Sequence, residues 1–178
     1  TVTGVQTCAL PILRFSPAGQ IMREALDRGQ VGEPGLLRGH CWRSNGAPAR
    51  ELWLEQLDLA SWLFGGLPGT VFAPAGEPRD HETRWLAHLG FAQGGMALVA
   101  VDISLPAGDE YTSYTLIGSR GAVYADDHRD RQLLFVGGTA QGIATRAAEP
   151  PWEGMLREFS VQVAARGSAR EAIVEGLQ

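Results

Sequence analysis

Glu51, Glu55 and Asp58 stand at helical spacing in the run Glu51-Leu52-Trp53-Leu54-Glu55-Gln56-Leu57-Asp58, where carboxylates gather against aromatics. Steps of four and three residues put successive acids about one turn apart on one side of a helix. Like charges so placed raise one another's pKa once water is kept away. A carboxyl group perturbed in this way can serve as a general acid or base near neutral pH. The alternative is a solvated acidic face, the ordinary place for such residues, and the residues alone leave both readings open.

The element that must position these acids is a helix over Glu51 to Gly66. Leu52, Trp53, Leu57, Ala60 and Phe64 recur at three- and four-residue steps, with Leu59, Trp62 and Leu63 widening the stripe, as in a helix packed on a sheet. Gly65 and Gly66 stop it, because glycine takes the left-handed conformation past a helix end at least cost. Upstream, Ser16-Pro17 reads as an N-cap and first-turn proline of a short helix with Ile21, Met22, Ala25 and Leu26 on one face, ending at Gly29. Leu36 to Ser44 is expected as a strand leading into the loop Asn45 to Pro48.

From Thr70 onward β-type runs alternate with turn residues: Thr70 to Ala73, Thr83 to Gln93, Met96 to Leu105, Tyr111 to Ile117, Ala122 to Ala125, Gln132 to Val136 and a seventh at Ile143 to Arg146. They are expected as strands in meander order. Val99, Val101, Ile103 and Leu105 alternate with Ala100, Asp102 and Ser104, which buries one face. Gln93-Gly94-Gly95 before them is a hairpin turn. Trp85, Ala87, Leu89 and Phe91 share one side of their strand while Leu86, His88 and Gly90 share the other, so both sides of the sheet carry apolar area. Pro151 to Arg166 returns to helix with Trp152, Met155, Leu156, Phe159 and Val163 on one stripe, and Ser168 caps a last helix. The fold class expected is α+β, an open, mostly antiparallel or mixed β-sheet with helices on one face.

Composition narrows the function. A chain of 178 residues, 44% hydrophobic and 20% charged, is long enough for one sizeable core. A net charge of -5 and a pI near 5.3 argue against a nucleic-acid partner. The uncharged stretch Leu59 to Gly76 contains Pro68, Pro74 and four glycines, so it is not expected to span a membrane. There is no G-x-G-x-x-G and no P-loop, hence no phosphate cradle, and Gly118-Ser119-Arg120-Gly121 reads as a strand-to-strand turn. His40, His81, His88 and His128 are scattered, so no metal site is expected. Asp126 to Arg131 reads as a solvated hairpin tip. Val2 to Ile12, VTGVQTCALPI, resembles the translation of a sequencing adapter, and residues 1–12 are set aside as a non-native scar. That removes Cys8 and leaves Cys41 without a cysteine partner, which fits a reducing, cytoplasmic setting.

Several segments, in order, carry a resemblance: Arg14-Phe15-Ser16-Pro17 with the helix behind it, Gly29-Gln30-Val31-Gly32, the strand ending Trp42-Arg43-Ser44, Asp58-Leu59-Ala60-Ser61-Trp62-Leu63-Phe64-Gly65, Ile117-Gly118-Ser119-Arg120-Gly121-Ala122, and Glu153 to Arg166. Together they resemble the C-terminal half of the Gfo/Idh/MocA oxidoreductases, NAD(P)-dependent sugar and polyol dehydrogenases. The resemblance implies that residues 13–178 are a substrate-binding and oligomerisation domain, truncated at both ends, with the Rossmann domain missing. It further implies NAD or NADP in the full-length parent and none bound by this fragment alone. A small sugar- or polyol-type substrate and a homo-oligomer through the open sheet face belong to the same expectation.

In that family the helix brings an aspartate, a histidine four residues later and a second aspartate three after that. Asp58 matches the last, Glu51 falls at the first and Glu55 at the histidine. The resemblance therefore makes Glu55, Asp58 and Glu51 the catalytic candidates, with Arg14, Trp42 and Arg43 on the substrate side. Two functions follow. Either the parent uses Glu55 as proton acceptor, or the chain belongs to a non-catalytic binding or assembly module that has lost the histidine. An unrelated β-rich binding protein is the third reading.

Overall fold

A computed structural model of the chain describes residues 12–74, 83–126, 131–143 and 150–166. Strand β1 (Pro34–Ser44) lies inside an eight-stranded sheet rather than at its start. The others are β2 (Pro68–Phe72), β3 (Arg84–Phe91), β4 (Met96–Leu105), β5 (Tyr111–Gly118), β6 (Gly121–Asp126), β7 (Arg131–Val136) and β8 (Thr139–Gly142), in the order β2-β3-β4-β1-β5-β6-β7-β8. β1 runs parallel to β4 and antiparallel to β5, and the remaining neighbours are antiparallel. The sheet is mixed, as expected. The expected meander is interrupted by the insertion of β1, because a parallel neighbour cannot be reached through a hairpin and the chain must cross over the sheet first.

Helix α2 (Ala49–Phe64) begins that crossing, joined by α1 (Pro17–Asp27) and α3 (Pro151–Arg166), with a single 3-10 turn at Ile12–Phe15 ahead of α1. Ser16 caps α1, its hydroxyl oxygen accepting from the Gly19 N–H at 3.1 Å. Gly65, at φ 74°, ends α2 in the left-handed conformation.

The core lies between α1, α2 and one face of the sheet. Leu37 and Cys41 of β1, Ala87 and Leu89 of β3, Val99 and Val101 of β4, Tyr114 and Leu116 of β5 and Val123 of β6 all turn inward to meet Met22, Leu59 and Leu63. Each fully buried aliphatic side chain there contributes about 1.5–3 kcal/mol. The opposite face keeps Leu86, Met96, Tyr124 and Phe135 exposed. The buried stripe of α2 is Gln56, Leu59, Ala60, Leu63 and Phe64, with Leu52, Trp53 and Leu57 only half-buried, so it is rotated from the expected one and includes a polar residue.

Two terminal features also differ from expectation. The eighth strand is Thr139–Gly142, reached through Gly137-Gly138 at φ 58° and 78°, the geometry of a two-residue hairpin turn. Ile143 follows it, and the rest of the expected strand to Arg146 lies outside the described residues, as do the tip 127–130, the helix from Ser168, His81, His128 and residues 1–11. α3 spans Pro151–Arg166 as expected, but Trp152, Leu156 and Phe159 of its stripe are exposed while Gly154 packs on Phe15. Among the described residues no helix is long and apolar enough to cross a membrane.

The turn between β5 and β6 is clamped to the loop after α1. Arg120 N donates to the Val31 carbonyl at 2.9 Å, and Ser119 N donates to that of Glu33 at 3.0 Å. A Cβ on Gly118 would sit 2.5 Å from the Val31 carbonyl oxygen and 2.6 Å from that of Glu33, both backbone atoms with little freedom to move. Gly118→Ala is expected to destabilise by about 1–3 kcal/mol, the usual range for overpacking. Gly69→Ala, on edge strand β2 with nothing within 4 Å, should stay within about 0.5 kcal/mol. Urea unfolding of the two variants checks the contrast.

Candidate functional site

The acids of α2 lie above the C-terminal half of β1 because the preceding loop folds the helix back over the sheet. Ser44 N donates to Glu110 Oε1 at 3.1 Å and Ala47 N to the Ser44 carbonyl at 3.2 Å, which closes the connection. α2 has Pro48 at its start and no side-chain cap, while exposed Glu51 lies in its first turn, where a negative charge complements the helix dipole.

Asp58 is held by Arg14. The guanidinium Nε donates to Oδ2 at 2.7 Å and Nη2 donates to Oδ1, a bidentate pair joining the 3-10 turn to α2 across 44 residues of sequence. Trp62, one turn beyond Asp58, has Arg14 Cζ 5.9 Å and Arg23 Cζ 5.8 Å from its ring centre, within cation–π range. The Asp58 carboxylate is thus charge-compensated and oriented.

Glu55 is in a different situation. It is half-buried, and its carboxyl pKa is raised chiefly by burial. The Arg43 charge opposes this, and Asp58 and then Glu51 add to it. Arg43 shares the helix-facing side of β1 with buried Cys41, since alternate residues of a strand point the same way. It is near enough to act electrostatically on Glu55, Glu110 and Tyr114 together.

Beneath Glu55 lies a buried polar pair. The Tyr114 hydroxyl donates to Gln56 Oε1 at 3.0 Å, and the two pack over Gly39, where a Cβ would come within 3.2 Å of the tyrosine ring and 3.3 Å of Gln56 Oε1. Burial drives the phenol pKa upward, with the Gln56 bond opposing it. Gln56 Nε2 is buried without a hydrogen-bond partner among the described residues, a cost retained beside the acidic cluster. Sequence reasoning missed both residues. Their signals were a glutamine inside the apolar stripe of α2 and a tyrosine alternating with Thr112 and Leu116.

Of the six residues singled out in the sequence, Glu51, Glu55, Asp58, Arg14 and Arg43 gather on the helix side. Trp42 does not join them. It lies on the opposite face of β1, its ring 5.0 Å from that of Tyr111, the partner across the ladder, and edge-on to His40 at 6.5 Å.

The arrangement pairs one ion-paired carboxylate with one carboxyl of raised pKa, a separation of environments suited to moving a proton. Among the described residues no group of three or more His, Cys, Asp or Glu could hold a metal. A dinucleotide does not fit the helix N-termini described: that of α1 is capped by Ser16, and α2 and α3 carry Glu51 and Glu153 in their first turns, which repel pyrophosphate.

No protein-family model matches the chain, and no curated protein matches it. Solved structures do. A Thermotoga maritima protein described as an oxidoreductase superposes with a TM-score of 0.68 at 20% identity, over 84% of this chain and 52% of its own. UDP-N-acetylglucosamine 3-dehydrogenase from Acidithiobacillus ferrooxidans gives 0.69 at 15%, over 94% and 58%. Levoglucosan dehydrogenase, solved with NADH and levoglucosan, gives 0.63 at 18%, over 81% and 48%. The chain spans about half the length of these proteins.

The raised pKa of Glu55 has a consequence for stability. Between the unfolded and folded pKa values the native state binds the extra proton, so stability is lost as pH rises through the folded value. Glu55→Gln is therefore expected to match or exceed wild type in stability at pH 7, and the difference should shrink once the pH falls below the ordinary glutamate pKa of about 4.3. Urea midpoints of the two proteins across that pH range check it.

Proposed function

On a fold shared with the C-terminal domain of the Gfo/Idh/MocA oxidoreductases, we propose that this chain is the substrate-binding part of a parent oxidoreductase. The parent acts on a hydroxyl-bearing carbon of a sugar, polyol or related compound with NAD or NADP. The observation that carries the reading is Glu55, a half-buried carboxyl of raised pKa between Arg43 and the Arg14–Asp58 pair. In this reading the Glu55 carboxylate accepts the proton of the substrate hydroxyl. Arg43 opposes the rise in the Glu55 pKa and offers donors to a substrate oxygen, and Arg14 fixes Asp58 so that its outer lone pairs orient the sugar. Glu51 adjusts the field at the helix start. The dinucleotide belongs to the other half of the parent. A cytoplasmic setting and association of copies through the bare sheet face are parts of the same proposal.

In a parent completed with its dinucleotide domain, Glu55→Gln should lower kcat by about a hundredfold or more, the usual scale for a lost general base, with KM changed far less. Turnover within about twofold would overturn the assignment and leave Glu55 as a surface acid. The substitution of glutamate where the resembling family has histidine favours the second reading, a non-catalytic assembly module. Glu55→His separates the two: a gain in activity marks a drifted catalyst, and inactivity of both forms over a panel of sugars and polyols marks the module. The isolated chain should give no saturable fluorescence change when titrated with NADH, since the pyrophosphate-binding turn is lacking among the described residues.

A further inference from the structure

The bare face of the sheet has a chemical centre. β1 is the fourth of eight strands, and His40 lies near the middle of β1 on the side facing away from the helices. Strand pairing lays out the surroundings of the imidazole. Ala100 flanks it on β4 and Ser113 on β5, with Leu86 beyond the first and Asp126 beyond the second. One step along β1 comes Arg38, between Leu98 and Thr115. In the other direction comes Trp42, between Asp102 and Tyr111.

We propose that this face closes on a second copy of the chain about a two-fold axis passing near His40, and that the contact forms with His40 neutral and opens when it is protonated. The inference rests on the assembly proposed above and adds its regulation. A second copy suits the face by size. Eight strands at about 4.8 Å spacing, showing from about two residues (β8) to about six (β1) at a repeat of about 7 Å, cover roughly 1,000 Å² per copy, at or above the roughly 800 Å² per partner of a stable interface. It suits it by chemistry too, because Met96, Leu86, Tyr124 and Phe135 are exposed and no described helix covers them.

Residues nearest the axis of an isologous contact meet their own copies. The cations of the centre are therefore doubled. Arg38 already brings one guanidinium per protomer, and no carboxylate shares its row, which holds His88, Leu98, Thr115, Tyr124 and Leu133. Asp102, in the next row, is occupied by Arg84 Nε at 2.5 Å and by Ser104 N at 2.7 Å, which with the Ser104 hydroxyl hold its pKa low despite burial. Asp126 lies two strands from His40, at about 10 Å by strand spacing. His88, the other imidazole described, sits off-centre beside Phe72. An imidazolium at residue 40 would thus enter a desolvated centre beside Arg38 and its copy without a close anion among the described residues, which is costly. Burial and then Arg38 already hold its pKa below the usual imidazole value in a single copy.

Sedimentation velocity of the chain tests this between about pH 8 and pH 5.5, the range over which histidine charges. The expected result is a dimer at the upper value whose dissociation constant rises about tenfold or more at the lower one, and a His40→Gln variant whose association does not change with pH. A wild-type chain monomeric at pH 8 overturns the assembly reading and the switch with it. A wild type that dissociates equally with or without His40, or that stays associated at both values, overturns the switch alone. Should His40→Gln fail to fold, linkage supplies a second measurement. The NMR pKa of His40 must be lower in the associated wild type than in a Met96→Glu monomer, and equal values overturn the switch.

Discussion

The parallel pairing of β1 with β4 is the constraint from which the rest of the architecture follows. A hairpin cannot join parallel neighbours, so the chain leaves β1, travels over the sheet as α2, lays down β2 and β3 and returns as β4. That excursion fixes which face is covered. It also fixes where the acids of α2 stand, because the helix starts just past the end of β1 and must run back over it. Arg43, nearly the last residue of the strand, and Glu55, in the second turn of the helix, are brought within electrostatic range by the reversal itself.

Within that frame two neighbouring carboxyl groups meet different partners. Asp58 receives two donors from Arg14, a residue of the entry turn. Glu55 receives only the longer-range Arg43 field while losing water, so its charged form is the more expensive one. The Tyr114–Gln56 hydrogen bond below ties α2 to β5, and Gly39 admits both side chains closely. Stability is spent at this spot: one buried carboxamide nitrogen lacks a partner among the described residues and one carboxyl is desolvated.

Much of this was legible in the residues. Period-two alternation marked β4 at its observed bounds, and the helix pattern over Pro151–Arg166 was equally direct. α2 began two residues earlier than expected, at Ala49. Pairings between distant segments were not legible. The place of β1 between β4 and β5 depends on register across the sheet, and β8 shows four exposed residues with no alternation to betray it. At the site, spacing put Glu51, Glu55 and Asp58 on one helix, but Arg14 comes from 44 residues away and Tyr114 lies 58 from Gln56, separations that no local pattern encodes. Trp42 shows the limit most simply, since adjacency to Arg43 in sequence means opposite faces in a strand.

That last feature bears on how such a chain can change over time. Even-numbered and odd-numbered positions of β1 belong to separate surfaces: Arg38, His40 and Trp42 look one way, while Leu37, Gly39, Cys41 and Arg43 look the other. Point substitutions can therefore remodel one surface while barely touching the other, and the two can diverge at their own pace. Insertions and deletions have no such freedom. Losing a single residue before Arg38 would exchange the two sets, placing guanidinium and imidazole in the core and Leu37 and Cys41 in solvent. The strand is tolerant in spelling and rigid in length.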